Sequence, residues 1–534
     1  MPVPASPGPR DPAPGLDQVG PSGKSIKAKQ QLGQFFTPAS LAGFAWEAVA
    51  LLQSKGASRR PTVTQGALEP AMGAGVFLRE GLARGLDAST LVGVDVDPTL
   101  GPQWEVLSQA HPALRLVRSD ALLPHPVLEG PFDVVIGNPP YGSAGLEAIA
   151  TPETDEALAL AQAVREDYDI HRKPGAPLRP ERLHSFPIEC LFVERCLRLC
   201  AEGGFVALVL PEGLLSNQRL QHVRDWVERH GTVRVVVSLP PGTFRTEGAT
   251  ARTALVVIEK AQSHEPAILF EAPRATAYPG ILDALEAKLR GAEASVALAP
   301  SLLGQRWDPR FWSPSVARPL DAIEERYSFA PLGDFLAFMT YGPIVTGRQR
   351  EVSPGEVVIL NQAELGFSGL EWYRAQRVAA DSPYDPPRSR PQPGDLLFAR
   401  SGAGSLGKGR MAVLEEAIRA NVGCFVDILR FDGLDPHFAW LYLASRFGQG
   451  QIRRLINGVA TPNLSFKELR SLRVPVLPPD RQEALARLYR VSVRPLHRAL
   501  QEAAADPLRR KAAEQAMREA IATFEHRLAH ETAE

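Results

Sequence analysis

The sequence predicts an α/β fold: a Rossmann-like domain in the first half, followed by an α+β domain that ends in helices. Three observations carry that reading. Short β-branched runs ending in acids or turn residues recur between helical stretches over residues 68–258, the pattern of strands in an open parallel sheet. A Gly-x-Gly turn follows the first run. A second series of short runs, broken by Gly and Pro, begins near Pro331, and residues 481–530 are helix-forming.

Composition sets outer bounds. At 534 residues the chain has room for two to four domains, each with its own core. Its 44% hydrophobic and 22% charged residues fit a globular protein. No apolar run of about 18 residues and no export signal is read, so a cytoplasmic location without a membrane partner is expected. Cys190, Cys196, Cys200 and Cys424 lack zinc-ligand spacing. They are read as free thiols of a reducing compartment, and no metal site is expected. A formal charge of −1 gives no global nucleic-acid signal, so such a partner has to be met by a local patch.

In chain order, residues 1–23 are rich in Pro, Gly and Ala and read as a disordered tail. Gly33-Gln34-Phe35-Phe36-Thr37-Pro38 precedes Leu41, Phe44, Ala45, Val49 and Leu52 at helical spacing. Thr37 is expected to cap that helix, with Pro38 in its first turn. Free N–H groups at such a start can hold a carboxylate, although a plain cap explains the stretch as well. Leu68-Glu69-Pro70-Ala71-Met72-Gly73-Ala74-Gly75 lets the backbone approach a ligand before turning into a helix. A lone Gly-x-Gly is weak evidence. About twenty residues on, a strand leads to Asp95, placed where a carboxylate can take ribose hydroxyls, while Asp97 is expected to begin the next turn. The following strand ends at Asp120, which can accept from an adenine amino group.

The fourth strand, Phe132-Asp133-Val134-Val135-Ile136-Gly137, leads into Asn138-Pro139-Pro140-Tyr141. Two prolines donate no N–H and restrict the residues before them, giving a stiff loop with outward carbonyls. The Asn138 amide oxygen and the Pro139 carbonyl can accept both hydrogens of one exocyclic amino group, and Tyr141 offers a flat face to the ring carrying it. Two acceptors there favour the tetrahedral nitrogen that develops as adenine N6 attacks a methyl cation equivalent. Standing alone, the tetrapeptide also reads as a tight turn.

Taken together, these stretches resemble the N6-adenine DNA methyltransferases of restriction-modification type whose catalytic motifs precede the target-recognition domain. The resemblance runs from about Lys29 to Lys260. It implies a Rossmann-like S-adenosylmethionine-dependent methyltransferase domain, S-adenosyl-L-methionine as cofactor and double-stranded DNA as partner. On that resemblance the cofactor is held by Phe36, Thr37, Glu69, Pro70, Ala71, Gly73 and Gly75, with Asp95 on its ribose and Asp120 on its adenine. Asn138, Pro139, Pro140 and Tyr141 match the catalytic motif without change. Phe244 stands where the family has an aromatic residue against the flipped base, although the residues alone fit core or loop filler equally. Met72 replaces a small polar residue or Cys, and Ala74 an acidic or polar one; both departures leave the glycines intact.

The remaining stretches complete the organisation. Residues 24–264 are expected as the catalytic domain, with a charged insertion at 143–186, part of which borders DNA or lies over the pocket, a solvated insertion with no role being the alternative. Residues 265–315 read as linker and packing segment, 316–480 as the target-recognition domain, and 481–534 as helices that pack back on it or pair with a partner chain. The run from Pro393 to Gly402 and its continuation to Pro479 are similar to recognition domains of Type I restriction specificity subunits. Residues 341–474 hold 17 Lys and Arg against 13 Asp and Glu. Within that surplus, Gly-flanked Arg400, Lys408 and Arg410 are the candidate phosphate contacts, a solvated basic loop being the alternative. The reading is a DNA (adenine-N6) methyltransferase, with base flipping. Its rivals are a methyltransferase for RNA adenine or a protein glutamine amide, and a non-catalytic DNA-specificity subunit. A restriction endonuclease, if one accompanies it, is expected as a separate chain.

Overall fold

The computed structural model describes residues 37–142, 154–173, 186–244, 252–292, 296–302, 304–313, 320, 323–346, 354–366, 369–402, 404–456, 463–502 and 506–530. The chain divides into two compact units, Met1–Trp307 and Asp308–Glu534.

Among the described residues the first unit is built on nine strands: β1 (Ala67–Glu69), β2 (Leu91–Asp95), β3 (Arg115–Arg118), β4 (Phe132–Gly137), β5 (Cys200–Pro211), β6 (Thr232–Ser238), β7 (Thr253–Glu259), β8 (Ala267–Glu271) and β9 (Ala297–Ala299). They form one sheet in the order β3-β2-β1-β4-β5-β7-β6-β8-β9. β3, β2, β1, β4 and β5 run parallel, and β7 runs antiparallel between β5 and β6. Strand order reverses between β1 and β4, so the crevice at their C-terminal ends is the switch point where ligands of open α/β sheets sit. The central strands are apolar on both faces because both are covered: residues 206–210 of β5 and 254–258 of β7 are fully buried. The expected Rossmann-like α/β class is the one observed.

Helices α1 (Ala39–Gln53), α2 (Val76–Ala83), α3 (Gly101–Ala110), α4 (Asp155–Glu166), α5 (Ile188–Leu199), α6 (Glu212–Ser216), α7 (Gln221–His230) and α8 (Tyr278–Leu289) join the strands. Three local expectations change. The cap of α1 is Pro38, with no side-chain cap bond, so Thr37 is released from that role. The Gly203-Gly204 pair, a turn signal expected to end the helix that begins at Ile188, instead lies inside β5; α5 ends at Leu199, and a Cβ on Gly204 would sit 2.7 Å from the Asp133 carbonyl. Residues 265–307, expected within a linker and packing segment, supply β8, α8 and β9 to the first unit. The segment's end is anchored by a bond from Trp307 N–H to the Leu215 carbonyl (2.9 Å) and by burial of the Trp307 side chain.

The described part of the 143–186 insertion packs onto the domain. Leu160, Ala161 and Val164 of α4 are buried, the Tyr168 hydroxyl donates to Leu122 O (2.7 Å), and the amides of Asp169 and Ile170 donate to the buried Glu194 carboxylate. Asp155, Arg165 and Glu166 of α4 are exposed, on the solvent side of an amphipathic helix. The 1–23 tail lies outside the described residues.

In the second unit a four-stranded antiparallel sheet runs Leu336–Tyr341, Val426–Phe431, Leu396–Ala399, Met411–Val413. The three-stranded sheet beside it runs Arg377–Val378, Val357–Leu360, Ala420–Val422. Of the two expectations for residues 481–534, packing back is found: Leu485, Leu500, Met517, Phe524 and Leu528 share one core with Phe438 and Trp440.

That core's edge titrates. Burial alone would lower the His437 imidazole, but the hydrogen bonds it donates to Asp435 and Glu415, and their charges, override it and raise it to about 9. A group raised above its unfolded value near 6.5 contributes stability fully below that pH and loses it as pH rises through about 9. The second unit's melting temperature is therefore expected to fall between pH 6.5 and 9. In His437→Gln that slope is expected to flatten; calorimetric melting across this window, with the slope unchanged in the variant, would disprove the assignment.

Candidate active site

A cavity of about 350 Å³ opens at the switch point, lined by Thr37, Glu69, Ala71, Gly73 and Asn138 among others. Its floor is the Gly-x-Gly turn between β1 and α2. Gly73 and Gly75 adopt left-handed backbone (φ +53 and +74), which residues with a Cβ rarely take. Met72 is buried, and its Sδ lies 2.4 Å from where a Cβ of Gly93 would be, so the larger residue at this position is accommodated by the bare backbone of β2. Trp104 Nε1 holds the turn through the Gly73 carbonyl (2.8 Å).

Three acids surround the turn. Glu69, at the end of β1, is 1% exposed and accepts from Leu78 N–H (3.1 Å), satisfying an orphan amide of α2. Its burial raises the carboxyl well above the usual range. Asp95 at the end of β2 accepts from Gly73 N–H (2.8 Å) and Asp97 N–H (2.9 Å), and burial raises it too. Asp97 caps the next turn by accepting from Thr99 N–H, as its position suggested. Asp120 accepts from Leu122 N–H (2.9 Å), with burial again raising its carboxyl. Neither Asp95 nor Asp120, nor Pro70 or Gly75, lines the cavity itself; Asp95 acts on its floor through the backbone of Gly73. Phe36 lies outside the described residues.

The stiff loop after β4 meets the same cavity. Asn138 donates from Nδ2 to Thr37 Oγ1 (3.0 Å), a contact between residues 101 positions apart. The Tyr141 hydroxyl donates to Asn138 Oδ1 and reaches Val209 O (3.2 Å). Burial, with a smaller contribution from the Glu189 carboxylate, holds the Tyr141 phenol well above its ordinary value, so it stays a neutral donor. Pro139 is buried and Pro140 half-buried. A Cβ on Gly137 would lie 3.5 Å from Pro70 Cδ, which shows how closely the ends of β4 and β1 run.

Among the lining residues not proposed from the sequence are apolar Val76 and Phe77 and polar Arg79 and Gln103. Arg79 lies three positions after Val76, another lining residue, so helical spacing already put both on one face of α2. Gln103 sits on α3, outside any motif, and carried no signal.

Phe244 requires correction. It is 2% exposed within the apolar core of the first unit, so its ring has no open face on which a base could stack. In the second unit, Arg400 is also engaged internally. Its guanidinium pairs with the fully buried Asp427 (3.3 Å), donates to Cys424 O (2.8 Å) and lies 4.3 Å from the Tyr341 ring centroid. Asp427 is raised to about 7 by burial, with Arg400 opposing the rise. Arg400 is thus the counter-charge of a buried carboxylate rather than a free phosphate contact. Arg410 donates to Gln362 O (3.0 Å), and Lys408 is exposed.

The Eco57I restriction-modification methylase family model matches residues 107–243, the stretch that contains Asp120 and the Asn138–Tyr141 loop. Over 170 residues the chain is 29% identical to the Type II methyltransferase M.TthHB8I of Thermus thermophilus, a match covering 32% of this chain and 34% of that relative's length. Among solved structures, the type I restriction-modification methyltransferase subunit from Streptococcus thermophilus is 20% identical, covering 50% of this chain and 55% of that one (TM-score 0.36). The Type IIL restriction-modification enzyme MmeI in complex with DNA is 11% identical, covering 91% and 73% (TM-score 0.49). The match of residues 107–243 bears out the resemblance read from the sequence over its catalytic core. No described helix is long and apolar enough to cross a membrane.

Proposed function

We propose that this chain is a site-specific DNA methyltransferase that places a methyl group on N6 of an adenine turned out of the duplex. The observation that carries the reading is that Asn138, from the catalytic tetrapeptide, lines the same cavity as Glu69 and Gly73 from the Gly-rich turn. Cofactor-type and acceptor-type groups therefore share one space, as transfer between two bound molecules requires.

The residues present fit S-adenosyl-L-methionine. Gly73 leaves bare backbone on the cavity wall, the buried Glu69 carboxyl is suited to the amino group of its methionine end, and Arg79 supplies a cation for its carboxylate. Asp95 and Asp120 stand at successive strand ends for ribose and adenine. When bound, this cofactor supplies an electrophilic methyl group on a sulfonium. Asn138 Oδ1 and the Pro139 carbonyl then hold the two hydrogens of N6 and direct its lone pair. An amide oxygen has two acceptor sites, so the Tyr141 hydroxyl leaves one for the base. With Nδ2 given to Thr37 Oγ1, Oδ1 is the end that faces Tyr141 and the base. Both acceptors gain strength as N6 becomes tetrahedral and positive, which places their benefit in the transition state. The reaction needs no prior base, because N6 releases its proton after attack.

The second unit is assigned to DNA recognition, with Lys408 as the candidate phosphate contact that is exposed. The test is incubation with labelled S-adenosyl-L-methionine and unmethylated genomic DNA, followed by nucleoside analysis. Label in N6-methyladenine is the expected result. Label found only in RNA or in a protein glutamine amide, with DNA unlabelled, would overturn it.

A further inference from the structure

We propose that Glu189 is a positioning residue for methyl transfer, holding the far end of the Asn138–Tyr141 loop through the backbone of Gly142. The proposal rests on the methyl-transfer reading of the site. Gly142 follows Tyr141 directly and sits in left-handed backbone (φ +86). Two bonds fix it from the start of α5. The Gly142 N–H donates to Glu189 Oε2 (2.8 Å), and the Gly142 carbonyl accepts from Ile188 N–H (2.7 Å). Both partners come from consecutive residues of the first helical turn, so one peptide group is clasped on each side. At the loop's other end β4 is locked in the sheet, and Thr37 holds the Asn138 amide.

Glu189 is 5% exposed, and burial pushes its carboxyl up to about 7, against the hydrogen bonds it accepts. A buried carboxyl is costly to retain unless it is hydrogen-bonded, and this one accepts the Gly142 N–H. Loss of that bond would leave the Gly142 N–H without its acceptor and the Tyr141 end of the loop held by the Ile188 N–H and Val209 O bonds, able to shift. The Tyr141 hydroxyl and the Asn138 amide would then move together, since they are hydrogen-bonded to each other. Misplacement of a reacting group by about 1 Å can cost on the order of 100-fold in rate. Such an effect falls on turnover and leaves cofactor affinity unchanged, because the Gly-rich turn has its own supports in Asp95 and Trp104.

Three variants test this in the full chain: Glu189→Ala, Glu189→Asp and Glu189→Gln. Asp keeps the charge but is too short to reach Gly142, and Gln keeps the acceptor without the charge. The measurements are kcat and KM for duplex DNA, the cofactor Kd by calorimetry, and the melting temperature. Expected are a 10- to 100-fold fall in kcat for Ala and Asp, KM and cofactor Kd within about threefold, and Gln within about threefold of the parent throughout. If Ala proves too unstable to assay, the Asp and Gln pair alone decides. Unchanged kcat in Asp, or Gln impaired as much as Asp, would overturn the proposal. A parent protein that transfers no methyl to DNA would instead count against the underlying reading.

Discussion

Asn138→Ala is expected to lower methyl transfer by about 10²- to 10³-fold or more, the loss seen when one acceptor or donor aimed at developing charge is removed. The binding side of the pocket should survive. Glu69, the Gly73–Gly75 turn and Asp95 are held by their own bonds to α2, α3 and β2, none of which passes through Asn138. Its loss removes a hydrogen bond from Thr37 and another from Tyr141, whose hydroxyl retains Val209 O as an acceptor. Single-turnover transfer measured beside calorimetric cofactor binding separates the two roles. Cofactor affinity weakened as far as transfer would mean that Asn138 builds the pocket rather than acting on the acceptor.

The largest effect on stability is expected at Arg224. Its side chain is fully buried and donates to the carbonyls of Leu214 (2.7 Å), Asn217 (3.0 Å) and Gln305 (3.0 Å). It joins α6, the turn after it and the end of the first unit's chain. Arg224→Ala removes three charge-assisted hydrogen bonds, each worth about 1.5–3 kcal/mol, for a total of about 4.5–9 kcal/mol, although Asn217 O keeps the Leu220 N–H (3.1 Å) and Gln305 O keeps Gln221 Nε2 (3.4 Å). For a unit of this size, that lowers the melting temperature by roughly 7–14 °C. A shift below about 2 °C in thermal unfolding would show that water or a neighbouring side chain takes over the three acceptors. Arg224→Lys should recover little, because one ammonium cannot reproduce the spread of the planar guanidinium.

Much of the first unit was legible because its central strands are buried on both faces, which forces apolar runs such as Val235 to Val237 and Ala254 to Ile258. The helix from Ile188 to Leu199 was legible for a similar reason, as its apolar stripe faces the sheet. What escaped was long-range pairing. Thr37 has the sequence of a cap, but a partner 101 residues away uses its hydroxyl. Arg400 looked free because nothing in Ala399-Arg400-Ser401 announces a buried Asp427 on the neighbouring strand. Phe244 was open between two readings, and the apolar core claims its ring. Residues 267–271 and 297–299 are short runs in Ala-rich surroundings, and only the edge of an existing sheet makes them strands. Glu189 carried no signal, since the donor it accepts from is a backbone amide and no side-chain pairing rule applies.

The bonds at Gly142, Tyr168, Ile170 and Ile188 tether the segment after the catalytic loop at four described points. Closing a loop costs entropy only as the logarithm of its length, about 0.6 kcal/mol for each doubling. Changes of length between such tethers therefore cost the fold little and stop short of the strand end that bears Asn138, so the sequence there can drift in the course of evolution while the chemistry stays fixed.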